Sequence, residues 1–210
     1  MRRLYIHPLP VRIWHWTNAT CFVLLTLTGI QIRYVGLVDI IPFRTAVISH
    51  SWIGFIVTAN FFLWFLFYLF SPKGRFYHAE LNPVTLFKES LQQFVYYSYG
   101  IFKGHPNPFH LSEERKFNAL QALTYQVVML IMVPVQIVTG ILLWDVNRFA
   151  KIVDLFGGVR VVDTIHVLNF IVIVCYIPLH AYLASLGRTP MEHYKAMVTG
   201  YEDVEDKNEK

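Results

Sequence analysis

Four apolar stretches, at about residues 11–34, 46–70, 119–144 and 161–186, are each longer than the roughly 18 to 20 residues a helix needs to cross a bilayer. A water-soluble domain of 210 residues could not bury all four without leaving large apolar patches on its surface. Composition agrees: 55% of the residues are hydrophobic and 15% charged, far from soluble-domain usage. The expected fold is all-α and integral to the membrane, a four-transmembrane-helix bundle forming one domain over residues 1–210. The first apolar run has the length of a full span and lacks a small-residue cleavage site, so it is expected to be retained rather than removed as a signal peptide.

Lys and Arg fall unevenly around these spans. Thirteen precede helix one, lie between helices two and three, or follow helix four; five (Arg33, Arg44, Arg148, Lys151 and Arg160) occupy the two opposite loops. By the positive-inside rule both termini are cytoplasmic, which places a multi-pass protein in a bacterial or archaeal inner membrane. The net charge of +4 therefore reflects topology, and no nucleic-acid partner is expected. Only two cysteines occur, Cys21 and Cys175, each within a span and each expected as a small packing residue, so a disulfide framework or a Cys-rich metal site is not available.

The one long loop, residues 71–118, is expected to be cytoplasmic, as is the tail at 187–210. Asn82-Pro83 reads as an N-cap followed by Pro at the first helical position. Leu86, Phe87, Leu91, Phe94, Val95 and Phe102 then recur at roughly helical intervals, which predicts an interfacial amphipathic helix with Tyr96, Tyr97 and Tyr99 at headgroup level. An amphipathic helix packed on a partner subunit would give the same pattern.

Nine histidines are present, but only His15, His50, His166 and His180 belong to spans. A polar ring in a span is costly and usually faces the interior. Fourteen residues separate His166 from His180, a rotation about 40° short of four full turns and a rise of about 21 Å, so the two share one face at two levels. With cytoplasmic termini, His15 and His180 both lie at the inner ends of their helices, and His50 and His166 both lie at the outer ends. The histidines thus form two pairs, one at each membrane face.

Zinc normally takes a third and fourth ligand, and the spans offer no Cys, Asp or Glu at these levels. Haem iron needs only two axial ligands, and its macrocycle suits apolar surroundings. Two bis-histidine b haems are the economical reading. The absence of C-x-x-C-H makes them non-covalent. Gly29 and Gly140, in the similar runs LTLTGI and QIVTGI, and Gly54, one turn after His50, are where a macrocycle could approach the backbone; close helix packing also explains such glycines. Pro178 frees a carbonyl and is expected to bend helix four before His180. Arg12 and Arg188 on the inner side, and Arg33, Arg44 and Arg160 on the outer, are candidate partners for haem propionates.

These residues resemble the di-haem membrane cytochrome b subunits of respiratory formate dehydrogenases, uptake nickel–iron hydrogenases and thiosulfate reductases. The likeness covers nearly the whole chain. It rests on R-I-W-H-W at 12–16 leading to L-T-G at 27–29, H-S-W-I-G at 50–54, K-F-N-A-L-Q at 116–121, and H-x13-H in helix four. The loop G-H-P-N-P-F with F-N-A-L-Q-A-L-T-Y and P-V-Q-I-V-T-G looks most like the thiosulfate-reductase-type branch. The resemblance implies His15 with His180 on an inner haem and His50 with His166 on an outer one. It also implies a menaquinone or ubiquinone pocket beside the inner haem, where Asn118 and Gln121 map onto N-A-G-Q of formate dehydrogenase subunits, with Leu120 replacing the glycine. The implied partners are membrane lipid, a quinone, and a periplasmic-side iron–sulfur or multihaem electron-transfer subunit with its catalytic subunit. The chain would then be an electron-transfer subunit rather than a complete enzyme. Two rival readings are a four-span transporter using the histidines as proton or metal relays, and a haem-free anchor for an oxidoreductase complex.

Overall fold

The computed structural model describes residues 2–71, 82–109, 117–187 and 189–204. Two short strands, β1 (Arg2–Tyr5) and β2 (Tyr201–Val204), pair antiparallel with Arg2 opposite Val204 and Tyr5 opposite Tyr201. Between them run helices α1 (Leu9–Arg33), α2 (Phe43–Phe70), α3 (Pro83–Ser98), α4 (Ala119–Val127), α5 (Val133–Trp144), α6 (Ala150–Leu155), α7 (Val159–Ala184) and α8 (Glu192–Thr199). A π turn over Val128–Met132 joins α4 to α5, giving one continuous helix, Ala119–Trp144. Pro134 follows that turn; its missing N–H and its ring make the regular i to i−4 ladder untenable there, and a wider turn relieves the clash.

Proline and glycine set the helix ends. Pro42 is the N-cap of α2, and Asn82 caps α3, its side chain accepting the N–H groups of Val84 and Thr85, with Pro83 opening the helix. The α6–α7 turn uses Gly157 and Gly158 at φ of 92° and 95°, a region that a residue with a Cβ adopts only under strain.

Side-chain contacts define how the long helices pack. Trp14 donates to the carbonyl of Asn60 at 3.1 Å while Thr28 meets His50 at 2.9 Å, so α1 and α2 are antiparallel. Trp64 donates to the Tyr125 hydroxyl and Phe55 packs on Trp144, making α2 antiparallel to α4–α5. Asn169 donates to the carbonyl of Met132 and Thr139 meets His166, making α5 antiparallel to α7. His15 beside His180, and Arg33 paired with Asp163 at 3.1 Å, return α7 to α1. The four long helices close into an up-and-down ring.

Where α1, α2 and Ala119–Trp144 meet, the packing is aromatic. Trp64, Met129 and Val133 are buried, with Trp14, Phe22, Phe61, Phe65 and Tyr125 against them. Away from it, large apolar side chains point outward: Phe62 is 56% and Leu63 66% exposed, the pattern of a bundle whose solvent is lipid. Three helices, α2, Ala119–Trp144 and α7, are long and apolar enough to cross a membrane. At 25 residues α1 has the length, but Arg12, His15, Asn18, Gln31 and Arg33 make it more polar. Cys21 is buried as expected of a packing residue, whereas Cys175 is exposed on the outer surface of α7.

Candidate functional site

The four span histidines come together as two pairs. Ring centres lie 6.2 Å apart for His15 and His180, and 6.4 Å apart for His50 and His166. We name the first pair inner and the second outer, by the chain ends each adjoins. Among the described residues no group of three or more His, Cys, Asp or Glu side chains gathers anywhere, so the pairs stand without a third protein ligand of that kind.

The outer pair is held by a repeated device. In α1, Thr28 donates its hydroxyl to the carbonyl of Leu24 at 2.8 Å and faces His50 Nδ1 at 2.9 Å. In α5, Thr139 donates to the carbonyl of Val135 at 2.6 Å and faces His166 Nδ1 at 2.9 Å. The residue after each threonine is a glycine. A Cβ built on Gly29 would meet His50 Cε1 at 3.3 Å, and one on Gly140 would meet His166 Cε1 at 3.3 Å. The room these glycines leave is taken by an imidazole edge, so they act on the site through the ring they admit. Gly54 differs: nothing stands within 4 Å of its missing Cβ. Gln136 and Asn169 complete the outer site. Asn169 donates to the carbonyl of Met132 and to Gln136 Oε1 at 2.8 Å, which turns the Gln136 amide nitrogen toward His166 Nε2 at 3.0 Å.

The inner pair has different neighbours. His15 Nδ1 is buried without a hydrogen-bond partner, and no hydrogen bond from a described residue reaches the ring of His180. Tyr176 stacks on His180 at 5.6 Å and Trp16 packs edge-on against His15 at 5.2 Å. Arg12, one turn before His15, donates from Nη1 to the carbonyl of Val198, while its Nε is buried and unpartnered. Trp16 donates to the carbonyl of Met197 at 2.9 Å. These two bonds tie α1 to α8, beside the β1–β2 ladder.

The other expected residues are placed as follows. Arg33 is paired with Asp163, so its charge is already answered; Arg44 and Arg160 are exposed; Arg188 lies outside the described residues. Asn118 and Gln121 form a capping box at the start of α4. Asn118 Oδ1 accepts the Gln121 N–H at 2.8 Å, Gln121 Oε1 accepts the Asn118 N–H at 3.1 Å, and Asn118 Nδ2 donates to the Tyr97 hydroxyl at 3.2 Å. Asn118 is buried and Gln121 exposed. Burial pushes the Tyr97 phenol up, against the pull of hydrogen bonds from Asn118 and Gln93, so it stays a neutral hydroxyl.

A family model described as prokaryotic cytochrome b561 matches residues 6–200. The chain belongs to the prokaryotic cytochrome b561 family. Among relatives of this cytochrome b, a protein named as cytochrome YdhU of Escherichia coli is 33% identical over 95% of this chain and 74% of its own length. A protein named as a Ni/Fe-hydrogenase B-type cytochrome subunit of Cupriavidus necator is 24% identical over 98% of this chain and 89% of its own. One named as the protein-methionine-sulfoxide reductase subunit YedZ1 of Azospira oryzae is 25% identical over 93% and 96%. The chain is thus a multi-pass membrane cytochrome b with an electron-transfer role, and its family implies haem b.

The residues present fit that group. Two metal–nitrogen bonds of about 2.0–2.1 Å, with roughly 1.1 Å from each nitrogen to its ring centre, put two axial imidazoles about 6.2–6.4 Å apart. Both pairs have that separation. The buried unpartnered Nε of Arg12 is a group that a propionate would satisfy.

Proposed function

We propose that this cytochrome b carries two b haems, one between His15 and His180 and one between His50 and His166, and links a redox partner on the outer side to the quinone pool at the inner side. The observation that carries this reading is the pair of ring separations, 6.2 and 6.4 Å. Haem b held between two imidazoles supplies one-electron transfer and leaves no open position for a substrate. The protein's own contribution is to fix the rings, exclude water and answer charge: Thr28 and Thr139 hold the outer rings, Tyr176 and Trp16 flank the inner ones, and Arg12, whose Nε is buried and unpartnered, would answer the charge of an inner propionate.

The β1–β2 ladder supports four spans. It brings the two ends of the bundle to one face, which an odd number of crossings would forbid. Since α2, Ala119–Trp144 and α7 are apolar enough to cross, α1 crosses as the fourth. We read the common face as cytoplasmic from the Lys and Arg distribution. On that face α3 lies in the interface: its Phe87, Leu91 and Phe94 are exposed while Ser90 and Gln93 are buried toward the protein, as expected for a helix resting its apolar side on lipid.

A menaquinone or ubiquinone would react at this inner face, at the start of α4. The capping box occupies both oxygens of Asn118 and Gln121, which leaves the Gln121 amide N–H to meet a quinone carbonyl, with Asn118 holding it in place. The names of the hydrogenase and reductase relatives favour a partner that contains a redox catalytic subunit. Variants of single ligands test the reading. His166→Ala should lose the outer haem and keep the inner, and His180→Ala the reverse; two haems retained in both variants would overturn the assignment.

A further inference from the structure

The hydrogen bonds around the outer pair fix something that ring positions alone do not, namely which nitrogen carries the proton. A threonine hydroxyl has one hydrogen. Thr28 commits it to the carbonyl of Leu24 and Thr139 to that of Val135, so toward His50 and His166 each oxygen can only accept. Both Nδ1 atoms must therefore be protonated, and both Nε2 atoms carry the lone pair. For His166 a second line of contacts gives the same answer. The carbonyl of Met132 accepts from the Asn169 amide nitrogen; that amide also donates to Gln136 Oε1; and the Gln136 amide nitrogen, a donor only, meets His166 Nε2 at 3.0 Å, holding the one lone pair that Gln136 would have to release to iron. The inner pair has no counterpart, since His15 Nδ1 lacks any partner and no described residue hydrogen-bonds the His180 ring.

Resting on the two-haem reading, we propose that Thr28 and Thr139 are positioning residues that hold His50 and His166 with Nε2 toward the outer iron and lower that iron's reduction potential. An acceptor on Nδ1–H raises the donor strength of Nε2. The acceptor here is itself polarised by giving its proton to a backbone carbonyl, which strengthens the bond to the ring. More electron density on the ligand favours the ferric state, so the outer centre becomes the better reductant. The inner centre, with unassisted imidazoles, is left at the higher potential. The same Thr-Gly step performs this in α1 and α5: the threonine aims the ring and the glycine admits its edge. Electron flow from the outer face inward is then downhill within the chain.

The test is an optical redox titration of the full-length protein in membranes or detergent, with haem counted per polypeptide, for the wild type and for Thr28→Val, Thr139→Val and the double variant. Valine keeps the shape and removes the acceptor. The outer midpoint should move upward in each single variant and further in the double, while the inner midpoint stays in place. An unmoved outer midpoint with both haems bound would overturn this inference and leave the two-haem reading standing; a wild type without haem would overturn both. Should valine cost the outer haem altogether, Thr28→Ser and Thr139→Ser decide: outer haem retained at the wild-type potential upholds the proposal, and its loss or an upward shift in the serine variants contradicts it.

Discussion

The two ends of the bundle offer ring pairs of nearly equal separation in unlike surroundings. At the outer end, polar side chains from three helices surround the imidazoles, and bonds between long helices link them: Thr28 to His50, Thr139 to His166, Asn169 to Gln136. At the inner end the rings have aromatic neighbours and, among the described residues, no hydrogen-bond partner at His15 Nδ1 or on the His180 ring, and stability comes from the chain ends, through Arg12 to Val198, Trp16 to Met197 and the β1–β2 ladder. Spacing is therefore common to the two pairs, whereas orientation is specified by hydrogen bonding at one and by packing at the other. On the two-haem reading, a structure built this way would tune its two centres separately.

The largest break in that comparison should come from filling the outer glycines. Gly140→Leu would drive a side chain into the space of the His166 edge, which already stands 3.3 Å from a Cβ at that position; overpacking a filled site displaces what lies opposite. Haem content should fall toward one per chain with the inner spectrum retained. Gly54→Ala, where nothing lies within 4 Å, should leave both centres as they are by the same haem count.

A smaller effect is expected at the inner face. Asn118→Ala removes one half of the capping box, at a cost of about 1 kcal/mol in helix stability, and takes the Asn118 side chain away from the Gln121 backbone N–H and the Tyr97 hydroxyl. Quinol-driven reduction of the inner haem should slow while both haems remain. Equal rates in the variant and the wild type would remove Asn118 from the quinone site.

The mildest change should follow pH at the chain ends. His193, in α8, hydrogen-bonds Glu202 of β2 at 3.2 Å, and that bond raises its pKa above 6.5. A raised histidine pKa means that the stabilisation is present in full below 6.5 and is lost as pH climbs through the raised value. Amide protection of β1 and β2, corrected for intrinsic exchange, should therefore weaken across that range, and His193→Gln should flatten the dependence. The pair is partly exposed, so the effect on the bundle as a whole is small.

Much of the site was legible because helical geometry converts spacing into level and face. The 14-residue interval in helix four placed His166 and His180 on one stripe, and the order of crossings matched them to His50 and His15; both pairs meet in the structure. The Asn82 cap could also be read, because a cap involves residues within one turn. What depends on the rotation of one helix against another could not. The Thr-Gly repeat was visible as a pattern, but that its threonine meets an imidazole Nδ1 requires knowing which faces of α1 and α2, or of α5 and α7, oppose. The β1–β2 pairing joins residues at opposite ends of the chain, for which no local pattern exists. Pro134 was the available sign of the π turn before it.

The central claim is that each of two histidine pairs holds one b haem. The most direct measurement is a reduced-minus-oxidised absorption spectrum of the purified, folded protein with haem b quantified per polypeptide. About two haems per chain, as four axial ligands require, is the predicted result. One haem, or none, in a folded bundle would contradict it.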